Sequence, residues 1–344
     1  MRNLIITLLC VGCLVARLAA GETYQDPQAD VYYKNHPEFF HFSSTEKIPS
    51  NLKWQSDPLE PTFADPKAQR GGELNYFINS TPPVLRRVGP NANHSFRGFA
   101  YDGNDCTLLT LHPNTLKWIP TLAQSWAVSD DGLTVYFKLN PNARFTDGQV
   151  VRADDYLYTF YFHQSPWINA PWYNDFYSKE FSGITKYDDL TIAIHLPSKK
   201  PDPLYLCGGL HPSPRDFYKD FGPDYIKKYS EKFEPTTGAY TINADDFLRG
   251  QRITLRRIPQ WWGDNERYTA HRFNVDAIHF KVIREMDKAY QIFQQGELDV
   301  FFMGLPKFWY GINDTEAYQA GFLRKVRFFN DVPRPPYGLY INTL

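Results

Sequence analysis

Four pairs of adjacent aspartates are the residues best suited to chemistry in this 344-residue chain: Asp130/Asp131, Asp154/Asp155, Asp188/Asp189 and Asp245/Asp246. Two carboxylates flanking a glycosidic bond can serve as acid and nucleophile or base in a hydrolase. Each pair, however, falls in a turn or at a helix start, where aspartate has a local backbone role. Turn chemistry is therefore the favoured reading, and a secreted carboxylate-dependent hydrolase is the alternative. His36 and His41 are five apart, which misses the one-turn spacing of a helical metal pair. Cys106 and Cys207 lie too far apart for a zinc motif. No G-x-S-x-G elbow, H-E-x-x-H, Walker loop or G-x-G-x-x-G occurs. We expect no catalytic residue, no metal and no cofactor.

The chain carries 37 Lys plus Arg against 38 Asp plus Glu, a net charge of −1. That balance gives no electrostatic footprint for nucleic acid or for an anionic membrane. Arg2, the apolar run Leu4–Ala16 and the small residues Ala19-Ala20-Gly21 read as a signal peptide over residues 1–21. The run is shorter than the ~20 apolar residues of a membrane span. A membrane anchor and a lipoprotein through Cys13 are the alternatives. Export into an oxidising compartment would allow Cys106 and Cys207 to pair; the sequence leaves that open. The remaining ~320 residues exceed what a single core usually supports, so two domains are expected.

The elements that position these residues follow from pattern. Residues 22–70, rich in Pro and aromatics, read as an arm packed over the body. Gly71-Gly72 opens a strand with Leu74, Tyr76 and Ile78 on one face. The stretch "LAQSWAVSDDGLTVYFKLNPNARFTDGQVVRADD" reads as a hairpin turned at Ser129–Gly132. Its return strand puts Leu133, Val135, Phe137 and Leu139 on one face, and Thr134, Tyr136 and Lys138 on the other. Asp154 and Asp155 then start a helix from Tyr156 to about His163. Ala239–Ile242 and Gln251–Ile258 read as paired strands across Gly250. Val275–Ile283, a helix over Asp287–Gln295 stopped by Gly296, and Leu298–Phe302 read as a parallel strand–helix–strand unit.

The hairpin stretch resembles the signature region of the extracellular solute-binding protein family that holds the peptide-binding subunits of ABC importers. There, a Leu-Ala-(Glu/Gln)-Ser-Trp segment precedes a Ser-Asp-Asp-Gly hairpin, a Phe-x-Asp-Gly turn and an acidic helix start. Gly71-Gly72-Glu-Leu, Thr237-Gly-Ala-Tyr240, Ile258-Pro-Gln-Trp-Trp-Gly263 and Gly296-Glu-Leu-Asp299 resemble further family motifs in order. Arg152 departs from the usual Thr or Ser helix cap, and Ile258 from the usual Asn.

The resemblance implies an α/β fold of the type-II periplasmic-binding-protein kind, with mixed sheets and flanking helices. It implies lobe I from 71–100 and 201–330, lobe II over 101–200, and the start of a third lobe at 331–344, where "YGLYINTL" ends the chain. On that reading two lobes are present and the third is missing, and a truncated non-functional remnant is a further alternative. The implied function is periplasmic capture of oligopeptides or peptide-like compounds by a monomer that delivers them to ABC permease subunits. Asn91, Ala92 and Asn93 match a family loop lying along an extended ligand, where backbone pairing would bind peptides; a plain polar loop is the other reading. Trp172 and Tyr173 stand where lobe II contributes an aromatic, and core packing is their alternative role.

Overall fold

The computed structural model describes residues 27–62 and 64–333, so the signal-peptide reading and the stretch Tyr337–Leu344 lie outside the described residues. In chain order the strands are β1 (Phe40–Phe42), β2 (Glu73–Ile78), β3 (Leu109–Leu111), β4 (Trp118–Pro120), β5 (Ala123–Val128) and β6 (Thr134–Leu139). They continue with β7 (Gly183–Asp188), β8 (Thr191–His195), β9 (Tyr240–Thr241), β10 (Phe247–Leu248), β11 (Arg252–Arg257) and β12 (Ala277–Val282). One sheet runs β1-β7-β8-β6-β5 and a second runs β10-β11-β12-β2, with β9 also on β11 and a separate β3-β4 pair. Both sheets are mixed, since β1 lies parallel to β7 and β12 parallel to β2 while the other pairs are antiparallel.

The hairpin forms where its turn residues require it. Gly132 has φ +73°, a conformation that favours glycine. Asp131 accepts the Leu133 N–H at 2.9 Å and the Ser129 hydroxyl at 2.6 Å. Trp126 then faces Phe137 and Ala127 faces Tyr136. Val135, Phe137 and Leu139 enter the main core with α2 (Ala153–Gln164), each full burial contributing about 1.5–3 kcal/mol. Helix α2 is apolar around most of its circumference and is buried on nearly every side, as such a pattern demands.

The arm does more than cover the body. It begins with helix α1 (Pro27–Asn35), whose Tyr32 ring packs 5.1 Å from Tyr161 of α2. It then supplies β1 to the sheet edge. Farther on, Ile48, Leu52 and Trp54 cover the second face of the hairpin sheet over Ala127, Tyr136 and Ala193. The Lys138 ammonium sits 4.5 Å from the Trp54 ring, which lets a charged residue share that covered face.

One expectation is corrected, and the cysteine pairing that the sequence leaves open is answered. Helix α4 (Met286–Gln294) follows β12 as read, but residues 298–302 are not a strand. The Asp299 N–H donates to the Asn75 carbonyl at 2.9 Å. The Asn75 N–H, however, is taken by the Asp299 carboxylate at 2.6 Å rather than by a strand carbonyl, so the ladder stops after one rung. Cys106 and Cys207 are both free. Their segments run side by side, with Leu108 N–H on the Leu210 carbonyl and Leu109 N–H on the Gly208 carbonyl. Among the described residues no helix is long and apolar enough to cross a membrane.

Candidate functional site

Each acidic pair has a structural task. Asp131 closes its hairpin turn as described, and Asp188 accepts the Leu190 N–H at 2.9 Å in the β7–β8 turn. Asp246 accepts the Asn243 N–H at 3.1 Å and pairs with the Arg256 Nε at 2.7 Å. Asp154 holds the Lys186 ammonium at 2.8 Å. Asp155 accepts the Arg152 N–H at 2.8 Å, which performs part of the capping that an arginine side chain, having no acceptor, cannot supply. Among the described residues no group of three or more His, Cys, Asp or Glu is arranged to hold a metal ion.

Asp155 carries a pH signature. Burial pushes its carboxyl up to about 7, against the Arg152 N–H and nearby Arg215, which pull it down. The folded state therefore binds the proton more tightly than the unfolded chain between about pH 4 and 7, and stability falls as pH rises through that window. Asp155→Asn keeps an oxygen for the Arg152 N–H and removes the buried charge. Its stability relative to the parent should rise from near parity at pH 4 to a gain of at most about 4 kcal/mol at pH 8. Urea denaturation across that range checks this; a pH-independent difference would contradict it.

The loop that follows β2 is built around close approach. Gly89 has φ +108°, and a Cβ there would lie 2.8 Å from the Ile168 carbonyl oxygen and 3.1 Å from Ile226. The Ala92 N–H returns to the Gly89 carbonyl at 3.1 Å, and the buried Arg86 guanidinium donates to the Pro90 carbonyl. These contacts hold Asn91 in the left-handed region at φ +64°. Asn91 and Asn93 are exposed, whereas Ala92 is buried, so of the three only the asparagine side chains are presented to solvent.

The turn at Ile168 leads into α3 (Pro171–Lys179), which carries both aromatic candidates. Trp172 is 66% exposed, stacked on Phe176 at 5.1 Å and edge-on to Tyr173 at 5.1 Å. Tyr173 is partly buried with its ring 5.4 Å from His163. The structure thus brings the loop against the turn before α3. It leaves Trp172 open and ties Tyr173 to the body. A cleft of about 630 Å³ beside Arg70, Trp261 and Asp264 contains none of these residues.

Two features escaped the sequence reading. The first is a buried ion network behind the loop. Arg87 Nη1 lies 2.6 Å from Asp105 and 3.4 Å from Glu234, and all three side chains are less than one-tenth exposed. Thr237 donates its N–H at 2.9 Å and its hydroxyl at 2.5 Å to Asp105, while the Tyr218 hydroxyl donates to Glu234 at 2.5 Å. Burial alone would raise the Asp105 carboxyl, but Arg87, His211 and Thr237 hold it well below the usual carboxylate range. The second is the run after α4. Only one rung ties Asp299 to the β2 edge, and Phe302 beyond it is 74% exposed. An exposed aromatic on a run tied so lightly to a sheet edge offers an apolar contact to an extended chain. The Phe-Phe-Met after Asp299 could have marked it, had it not read as an ordinary core strand.

Comparison with known proteins gives this geometry a lineage. A Brucella melitensis relative is 25% identical over 296 residues, covering 82% of this chain and 46% of that protein. The peptidoglycan-binding protein YepA of Agrobacterium fabrum is 22% identical over 303 residues, covering 81% of this chain and 46% of its own length. The crystal structure of Haemophilus influenzae OppA in complex with the peptide RPPGFSPFR superposes with a TM-score of 0.55 at 20% identity, over 72% of this chain and 48% of that one. The chain therefore spans less than half the length of these matches. Its mixed sheets and flanking helices share their fold over that part. The profile of bacterial extracellular solute-binding proteins, family 5, matches residues 117–343, and the chain belongs to that family.

Proposed function

We propose that this protein captures oligopeptides or peptide-like solutes outside the inner membrane and hands them to the permease subunits of an ABC importer. The observation that carries the reading is the loop Gly89–Asn93. It is held in a left-handed turn by Arg86 and seated against the Ile168 turn, which leads along the chain to the exposed Trp172 of α3. Such a loop offers backbone and amide groups to an extended ligand without reading its sequence, and the indole offers a broad apolar contact. The exposed Phe302, on the run that Asp299 ties to β2, supports the same mode. The peptide held by the H. influenzae protein and the peptidoglycan-binding name of the A. fabrum protein support short peptides and peptidoglycan fragments as ligands to try.

In this reading residues 71–100 and 201–330 form lobe I, residues 101–200 lobe II, and the arm 22–70 braces both. The protein binds as a monomer, without covalent chemistry, in the periplasm. Titration of the protein with a mixed peptide pool, followed by isothermal calorimetry on the peptides retained, tests this. Trp172→Ala should weaken binding about 10-fold, equivalent to about 1.4 kcal/mol. It should leave unfolding stability within about 0.5 kcal/mol, because the ring is largely in solvent. Equal affinity for the variant would remove Trp172 from the site, and hydrolysis of the peptides would place the protein in another class.

A further inference from the structure

We propose a second, smaller ligand site at the joint between the arm, the β5–β6 hairpin and the turn after Trp262, suited to a single amino sugar. A cavity of about 270 Å³ opens there, lined among others by Asp57, Gln124, Asn140, Trp262, Glu266 and Arg267. At about 30 Å³ per water it holds roughly nine waters, the room of one pyranose ring with its hydroxyls rather than of a peptide.

Asn140 is the first reason to read it as a site. The residue is 1% exposed, and its Oδ1 accepts the Asn142 N–H at 2.9 Å. Gln124 Nε2 also approaches that oxygen at 3.4 Å. The Asn142 N–H, which can only donate, fixes which end of the amide is oxygen. The Nδ2 group makes no hydrogen bond among the described residues, although it belongs to a residue that is otherwise enclosed and lines the cavity. That donor is open to the cavity, where a ligand oxygen can accept from it.

Glu266 is the second. Its carboxylate forms no ion pair or hydrogen bond among the described residues, whereas the other two charges at the rim are engaged with each other. Arg267 Nε lies 3.8 Å from Asp57, its Nη2 donates to the Glu60 carbonyl at 3.0 Å, and Asp57 accepts the Tyr268 hydroxyl. The free charge of the cavity is thus one negative. A ligand that fits must present a cation to Glu266, hydroxyl oxygens to the Asn140 amide, hydroxyl hydrogens to the Gln124 carbonyl oxygen, and an apolar face toward Trp262 and Pro120. An aminated hexose combines all four, and a plain hexose lacks only the cation.

Calorimetric titration of the whole chain with D-glucosamine and with D-glucose tests the assignment. The parent should bind glucosamine about 10-fold more tightly than glucose, as one charge-assisted hydrogen bond would give. Glu266→Gln should bring glucosamine down to the glucose affinity and leave glucose unchanged. Glu266 is partly exposed and makes no side-chain bond among the described residues, so this variant should fold as the parent does. Asn140→Asp, which keeps the acceptor for Asn142 and loses the donor, should weaken both sugars. Absence of binding by either sugar at millimolar concentration, or glucosamine binding untouched by Glu266→Gln, would overturn the proposal. The peptide reading does not depend on it: a peptide should leave the sugar titration unchanged, and displacement by peptide would also count against a separate site.

Discussion

Replacing Arg87 with methionine is expected to destabilise the protein by about 3–5 kcal/mol, the cost of breaking a buried ion pair by removing one partner. Asp105 and Glu234 would remain, both almost fully enclosed, with no guanidinium between them. Neither can relax into water, because Tyr101 lies across Arg87 with its ring centre 5.3 Å from the guanidinium carbon and Tyr218 caps Glu234. The damage would spread along the chain. Asp105 ties Cys106 and Thr237 together through hydrogen bonds of 3.0 and 2.9 Å, and so joins the end of the loop region to the strand that starts at Tyr240. Adding Asp105→Asn and Glu234→Gln to Arg87→Met should restore much of the loss, since neutral groups cost far less to bury than unpaired charges. Chemical denaturation of the single and triple variants measures both. A single variant as stable as the parent would mean that the network contributes nothing.

Gly238→Ala is the second large effect, about 3 kcal/mol or more, from overpacking. The glycine lies in Thr237-Gly-Ala-Tyr240, and a Cβ there would overlap the Asn104 carbonyl and its side-chain oxygen. Asn104 cannot step aside cheaply. It is 3% exposed, its amide donates to the Tyr240 carbonyl at 2.7 Å and to Thr236 at 3.1 Å, and its oxygen accepts the Tyr240 N–H at 3.0 Å. On the other side Trp261 and Trp262 both donate to the Thr237 carbonyl, at 2.9 and 2.7 Å. Any shift of residue 238 must break one of these sets. Gly222→Ala is the control: a Cβ there meets nothing within 4 Å, so its effect should stay within about 0.5 kcal/mol. Equal behaviour of the two variants in a urea titration would refute the packing argument.

How far these features were legible in the sequence depends on whether their cause was local. The Ser129–Gly132 turn, the alternating β6 and the acidic start of α2 all rest on neighbouring residues, and each forms where the pattern puts it. The paired strands across Gly250 follow for the same reason. Asp131, Asp188 and Asp246 make the local backbone bonds that their turn positions imply. Residues 298–302 misled because Leu-Asp-Val-Phe-Phe has strand composition, while its fate turns on one side chain 224 positions from its partner, Asp299 on Asn75. The arm's composition suggested a covering segment but could not show that Phe40–Phe42 adds a parallel strand to β7, since pairing partners are a tertiary matter.

The same division runs through the site. Trp172 and the Asn91–Asn93 loop are proposed from likeness to a family motif, not from periodicity, and the exposure of Trp172, Asn91 and Asn93 follows from what packs around them. Arg87, Asp105 and Glu234 gave no signal: isolated charged residues at scattered positions look like solvated surface until the fold buries them together. Asn140 likewise reads as one more turn asparagine, and only the cavity beside it singles it out.

Native mass spectrometry of the folded protein, after equilibration with a pool of short peptides and removal of the excess, tests the central claim most directly. Peptide capture predicts adducts at peptide masses on the parent and a strong loss of them on Trp172→Ala at unchanged stability. A folded protein that carries no peptide from any pool, or equal adducts on both chains, would contradict the account.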